Sequence, residues 1–427
     1  MRFLYEILFS LFAIFYLPVF LIKGKHKHEF FSRFGRVPLP VKNRLVGEKV
    51  IWVHAVSVGE VIQAVRLANA LRDKAKSAKF VLTTTTLTGR QILEKLKGDE
   101  DVALYFPIDF RWCVRAFIRD IHPDALLILE TEIWPNLIFE LTDRHVPVFI
   151  VNGRISDKAI WKYQAMRGFF GPVLNRLSGV QTQDEAMRSR FVSAGARPEI
   201  VSVTGNMKFD WEPEHRHEAA VDNLQRHLSG EHAFLCVAGS THEGEEEILF
   251  RVYQTLRPRY PFFRLLIAPR HLERIRSIEN KAKDFGMAVT RVSEFLNANA
   301  FVGGNSHEGP ILLDQMGILA SLYRIADVVF IGGSLVKVGG HNPVEPAFYE
   351  RPILFGPFMN NFREMAEEFK QAKAAVEVQD ARALEKELIA LIESPEARHA
   401  LGRAAKQLVF KHQGATRRNA ETILSAL

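Results

Sequence analysis

From residue 49 onward, short apolar runs alternate with stretches whose apolar residues recur at helical spacing. KVIWVHAV is followed by EVIQAVRLANALRDKA, and FVLTTTT, VALYFPI, ALLILET, VPVFIVN and VSVTGN then recur with helical stretches between them. Strands that are apolar throughout are covered on both faces, and their alternation with helices predicts parallel sheets. A polar stretch at 208–232 interrupts the pattern, which starts again with AFLCVAGS, FRLLIAPR, MAVTRV, GPILLD, DVVFIGGS and RPILFG. The expectation is an α/β protein of two Rossmann-like, doubly wound domains over residues 25–207 and 208–427, with the last helical stretch packing back on the first domain. Open parallel sheets bind ligands beyond the carboxyl ends of their strands, and two such domains facing each other would enclose a cleft.

Residues 1–24 read differently. Phe3 to Ile22 is an almost unbroken apolar run with Glu6 as its one charge, long enough as a helix to match a bilayer core, and KGKHKH follows at once. No small-residue cleavage site separates the two, and the lysines predict that the rest of the chain stays in the cytoplasm. Glu6 and Pro18 leave open a helix that spans the bilayer and one that lies flat on it. The first 36 residues carry Arg2, Lys23, Lys25, Lys27, Arg33 and Arg36 against Glu6 and Glu29, a large share of the net charge of +7. Beside an apolar segment, that basic patch fits an anionic lipid surface and not nucleic acid. Cys113 and Cys236, the two cysteines, exclude a disulfide framework or a zinc site built on cysteine.

Several strand ends carry chemistry. In WVHAVSVGE, Glu60 opens a helix three residues after Ser57, which reads equally as a capping box and as a general base aimed past the sheet; a helix N-terminus would hold that carboxylate ionised. Glu130 and Glu132 end a very apolar strand in LILETEIWPNL, and TGNMKFD ends another with Lys208, a cation able to offset negative charge. In the second half, Gly239 and Ser240 form a turn able to hold a phosphate on its N–H groups. Arg270 and His271 end the strand IAPRH, where a guanidinium can bind phosphate. The stretch VVFIGGSLVKVGGHNPVEPA holds two glycine pairs and a helix start, with Pro343 at its first position and Asn342 and Glu345 as a capping pair or a ribose-binding carboxylate. No P-loop, nucleophile-elbow or zincin motif is present, and fifteen histidines show no metal-ligand spacing. Asp99, Glu100 and Asp101 match an acidic metal triplet but precede a strand, and read as a solvated turn.

Taken together, RFG at Arg33–Gly35, WVHAVSVGE, ETEIWP, NGRIS, TGNMKFD, AGSTHEGEE, PRH, MGIL, FIGGSLV and GGHNPVEPA resemble the Kdo transferase family over almost the whole chain. The resemblance implies a GT-B fold of two facing Rossmann-like domains with an N-terminal membrane anchor. It implies inverting transfer of 3-deoxy-D-manno-octulosonic acid (Kdo) from CMP-Kdo to the phosphorylated lipid A precursor, at the cytoplasmic face of a bacterial inner membrane, in lipopolysaccharide biosynthesis. Glu60 would be the catalytic base, with Glu130 and Lys208 stabilising the transition state. Pro269 and Arg270, Met316, Gly317 and Ile318, and Asn342, Pro343, Val344 and Glu345 would contact CMP, with no metal or other cofactor. The alternative within the same architecture is an enzyme that uses a UDP-sugar on another lipid.

Overall fold

A computed structural model of the protein describes residues 2, 5–7, 9–11, 30–75, 77–211, 218–228, 233–297 and 309–427. Among the described residues, fourteen strands form two sheets. The first holds β1 (Lys49–His54), β2 (Ala78–Thr84), β3 (Val102–Tyr105), β4 (Ala125–Leu129), β5 (Val148–Gly153), β6 (Gly179–Thr182) and β7 (Val201–Val203), in the order β3-β2-β1-β4-β5-β6-β7. The second holds β8 (Phe234–Thr241), β9 (Phe263–Pro269), β10 (Thr290–Arg291), β11 (Ile311–Leu312), β12 (Val328–Ile331), β13 (Ile353–Phe355) and β14 (Val376–Glu377), in the order β10-β11-β9-β8-β12-β13-β14. Every pairing is parallel.

The apolar runs are explained by burial on both faces. In β1, Val50 and Trp52 join the core on one side of the sheet, while Ile51 and Val53 join the core on the other. Side chains alternate across a strand, so a strand covered on both faces needs apolar residues at every position. In both sheets the strand order reverses next to the first strand. The reversal falls between β1 and β4 in the first and between β8 and β12 in the second. At such a point the two connecting segments leave in opposite directions and open a crevice at the strands' carboxyl ends.

The chain divides into two compact units, residues 1–210 with 412–427, and residues 211–411. The first crossing falls after Asp210, not after 207, so Lys208 belongs to the first unit. The last helix, Ala415–Ser425, also belongs to it. Ala415, Ala420 and Ile423 share a core with Val61, Ala64, Ala68 and Leu71 of the helix Val58–Arg72. The Asp210 carboxylate accepts the N–H groups of Gly414, Ala415 and Thr416 at 2.6, 3.2 and 2.6 Å, which caps that last helix.

One expectation is corrected. Asp101 is not solvated: its carboxylate is buried and accepts Arg72 Nη2 on both oxygens, at 2.6 and 2.7 Å. Asp99 and Glu100 are exposed, as expected of a solvated turn, and Glu100 pairs with Lys79. The N-terminal segment is described only in part. Its described residues are helical and lie on the first unit: Arg2 pairs with Asp143 at 2.6 Å, and Tyr5 donates its hydroxyl to Asp109 at 2.8 Å and stacks near Phe9 and Phe169. Asp109 is buried and also caps the helix Pro135–Thr142 through Asn136 N and Leu137 N. Among the described residues no helix is long and apolar enough to cross a membrane; most of the expected anchor, including residues 12–29, lies outside the described residues.

Candidate active site

At the reversal point of the first sheet, β1 and β4 end beside each other and deliver the carboxylates expected from the sequence. Glu60 is the third residue of the helix Val58–Arg72 and completes a capping box. Its Oε2 accepts Val56 N at 2.9 Å and its Oε1 accepts Ser57 N at 3.3 Å, while Ser57 Oγ accepts Glu60 N. The residue is 8% exposed. The capping bonds favour the ionised form, as the helix start led one to expect. Burial and then the charge of Glu130 outweigh them, however, and the pKa lies above the ordinary glutamate value. A carboxylate so raised is a stronger base than an ordinary glutamate once ionised.

Glu130 follows β4 with a left-handed backbone, φ 57°. Its carboxylate forms an ion pair with Lys208 Nζ at 2.5 Å and lies 4.0 Å from Arg154 Nη1. Glu132, two residues further along the chain, is pushed up to about 7 by burial and then by the charges of Glu60 and Glu130. The first unit therefore gathers three carboxylates and one ammonium at one sheet edge.

Asn152 was missed by sequence reasoning. It is fully buried at the end of β5, with φ 57°. Its Oδ1 accepts Met207 N at 3.0 Å and its Nδ2 donates to Gln63 Oε1 at 2.8 Å. It ties the turn carrying Lys208 to the helix carrying Glu60, so Asn152 positions both groups. The Asn-Gly pair in NGRIS marked a turn, but nothing local showed what its side chain would hold.

In the second unit, Pro269 ends β9 and Arg270 follows it, exposed, with its N–H on Thr241 O at 3.0 Å. No carboxylate pairs with Arg270 among the described residues. Gly239 lies within β8, where the Tyr323 hydroxyl occupies the place a side chain would take; Ser240 follows at a bulge with φ 57°. Met316 is 74% exposed and Ile318 is buried, with Gly317 between them at φ 84°. Asn342 Oδ1 accepts Val344 N at 3.1 Å, and Pro343 precedes the first helical residue instead of occupying it. The helix is short, Val344–Phe348, too brief to direct a sizeable dipole at a phosphate. The turn after β12 also differs from expectation. Glu245, fully buried, accepts the N–H groups of His242, Gly333, Ser334 and Leu335 at 2.9, 2.6, 3.0 and 3.0 Å. The protein's own carboxylate thus fills that nest of N–H donors. Among the described residues no three histidine, cysteine or carboxylate side chains cluster as metal ligands.

These features define a class: a chain of two doubly wound α/β units with chemistry at both reversal points. The same fold is seen in UDP-GlcNAc 2-epimerase from Neisseria meningitidis, at TM-score 0.53 and 15% identity over 88% of this chain and all of that one. The family model for 3-deoxy-D-manno-octulosonic-acid transferase (kdotransferase) matches residues 28–211. The 3-deoxy-D-manno-octulosonic acid transferase of Haemophilus influenzae is 34% identical over 86% of this chain and 85% of its own length. That of Bordetella pertussis is 30% identical over 92% and 90%. The chain belongs to the 3-deoxy-D-manno-octulosonic acid transferase family, a family of glycosyltransferases.

Proposed function

We propose that this protein transfers Kdo from CMP-Kdo, with inversion, to a hydroxyl of the phosphorylated lipid A precursor at the cytoplasmic face of a bacterial inner membrane. Family membership supports the transfer, and one observation carries the mechanism: a buried Glu60, held by its capping bonds, stands at the reversal point of the first sheet beside the Glu130–Lys208 ion pair. In this reading Glu60 takes the proton from the acceptor hydroxyl as the oxygen attacks the anomeric carbon. Negative charge from Glu130 stabilises the oxocarbenium-like transition state. Lys208 holds Glu130 in place through their ion pair. Arg270, at the end of β9, neutralises the departing nucleotide monophosphate.

Attachment at the membrane surface, without a crossing, is part of the proposal. Tyr5 and Arg2 bind the same unit that contains residues 30–210. A helix spanning the bilayer would carry its first residue about 30 Å away from that unit. A segment held at its start by the folded body fits one lying in the interface.

The test offers the purified protein a tetra-acylated, bis-phosphorylated lipid A precursor with CMP-Kdo generated in place, beside UDP- and GDP-sugars. Mass spectrometry is expected to find Kdo added to the lipid in the first reaction alone. Extension by a UDP-sugar and none by CMP-Kdo would leave the fold standing and remove the named activity. Arg270→Ala is expected to weaken CMP binding about 10-fold or more, the scale of a charge-assisted hydrogen bond; unchanged affinity by calorimetry would take Arg270 out of the site. We further propose that no metal takes part, the guanidinium doing the work a cation does for sugar diphosphates. Full activity is expected in excess EDTA, and loss of activity restored by magnesium would refute it.

A further inference from the structure

Three histidines that the proposed mechanism leaves unused stand at the reversal point of the second sheet. His242 follows β8, His341 follows the turn after β12, and His271 follows β9. His242 Nε2 and His341 Nε2 lie 3.0 Å apart in nearly coplanar rings, 6° between planes, and His271 meets His242 edge-on at 5.8 Å. Gly333, at φ 68°, leaves the room both rings need: a Cβ there would come within 3.2 Å of His242 and 3.3 Å of His341. The Glu245 carboxylate that holds Gly333 N also holds His242 N, so one buried acid fixes the turn and the imidazole beside it.

A hydrogen bond between two imidazole nitrogens requires one N–H and one lone pair, so at least one ring is neutral. The surroundings favour neutrality of both. His341 is pushed down to about 4 by burial, then by His242, Arg270 and His271. His242 is lowered by burial, then by His271 and Arg274, against Glu246, with Arg270 adding to the lowering. Arg274 is itself bound to Glu246 through both its Nη atoms, at 2.8 and 3.0 Å. Two half-buried neutral imidazoles that satisfy each other, beside an unpaired guanidinium, are donors held in reserve for an incoming oxyanion.

We propose that His242 and His341 together bind the carboxylate of the donor's sugar acid. The proposal rests on the reading of the donor as a CMP-linked sugar acid. Such a donor carries two anionic groups. Arg270 serves the phosphate, and the carboxylate needs donors of its own at the same sheet edge. The two Nε2 atoms face each other at 3.0 Å; once each carries a proton the rings must turn apart, and their N–H groups can then each reach one oxygen of a carboxylate held between them. The mutual bond gives way as the anion enters, by a tautomer change or by uptake of one proton. A neutral hexose brings hydroxyls but no charge, and the stronger charge-assisted bonds of a carboxylate make the pair favour acidic sugars.

The test separates sugar from nucleotide. For His242→Ala and His341→Ala, the donor KM for CMP-Kdo is expected to rise about 10–100-fold, the range for hydrogen bonds to a charged group. The inhibition constant of CMP, which lacks the carboxylate, is expected to stay within about twofold, which also reports an intact second unit. His341→Gln, which keeps a neutral donor, is expected to recover part of the KM. If the CMP constant rises in step with the KM, the pair holds the nucleotide and the proposal is overturned; unchanged KM overturns it equally. In the wild-type protein, the imidazole proton resonances of both residues are expected to shift when free Kdo is added in the presence of CMP. No shift refutes the proposal without recourse to a variant. Wild-type turnover of CMP-Kdo decides the donor reading itself, so the two failures are distinguishable.

Discussion

Glu60→Gln is expected to lower turnover by about 10²–10⁴-fold, the range for loss of a general base, with CMP affinity unchanged. The substitution keeps the side chain's size and one carbonyl oxygen, but an amide cannot take the acceptor's proton. It also turns an NH2 toward Val56 N or Ser57 N, which now donate to the two carboxylate oxygens. Loss of that cap costs about 1 kcal/mol of stability, too little to unfold a domain. Measuring kcat together with the thermal midpoint separates the roles, because a variant that melts early yet keeps its kcat would make Glu60 a cap alone. The pH profile gives a second check. Burial and Glu130 hold the carboxyl above its ordinary range, so wild-type activity is expected to rise with pH through that range as the base ionises. The Gln variant is expected to lose that rise.

Glu245→Ala is expected to destabilise the second unit by more than about 3 kcal/mol. The carboxylate accepts four backbone N–H groups in a place without solvent, and each buried donor left unsatisfied costs about 1–3 kcal/mol. Burial itself raises the pKa of this acid, so part of the gain is already spent on desolvation. The turn from Gly332 to Leu335 would lose its internal template, and His242 its anchored N–H. Chemical denaturation followed by fluorescence should show an earlier transition, with nucleotide binding lost alongside it. An unchanged midpoint would mean that water replaces the carboxylate at no cost, and the turn would then not depend on Glu245.

The long strands were legible because each is apolar at successive positions. β6, GVQT, and β14, Val376–Glu377, were not: they are short, contain polar residues, and become strands through their neighbours β5, β7 and β13. The same limit governed the site. Position at a strand's carboxyl end pointed to Glu60, Glu130, Lys208 and Arg270, and spacing revealed the capping box. The sign of the Glu60 shift was not readable, since it depends on burial and on Glu130, seventy residues away in sequence. Asp101 looked solvated because Arg72 lies outside its segment. The glycines of GGSLVKVGGH announced a turn, but the acid filling its N–H groups is Glu245, in the segment that follows β8, and His341 meets a histidine ninety-nine positions earlier. The apolar N-terminal run suggested a helix across or along a bilayer, and the partners of Tyr5 and Arg2, Asp109 and Asp143, could be revealed by no window of the sequence.

The way Asp210 grips the start of the last helix bears on how the protein is made. A ribosome finishes residues 1–210 and then all of 211–411 before the residues that complete the first unit emerge. Until then the nascent first unit lacks Ala415, Ala420 and Ile423 against Val61, Ala64, Ala68 and Leu71, an apolar face open to chaperones or to other chains. The second unit has no such wait, since its segment is contiguous. A frameshift or early stop that removes only the final dozen residues would therefore leave the second unit able to fold and would damage the unit that carries Glu60, although Glu60 itself was translated hundreds of residues earlier.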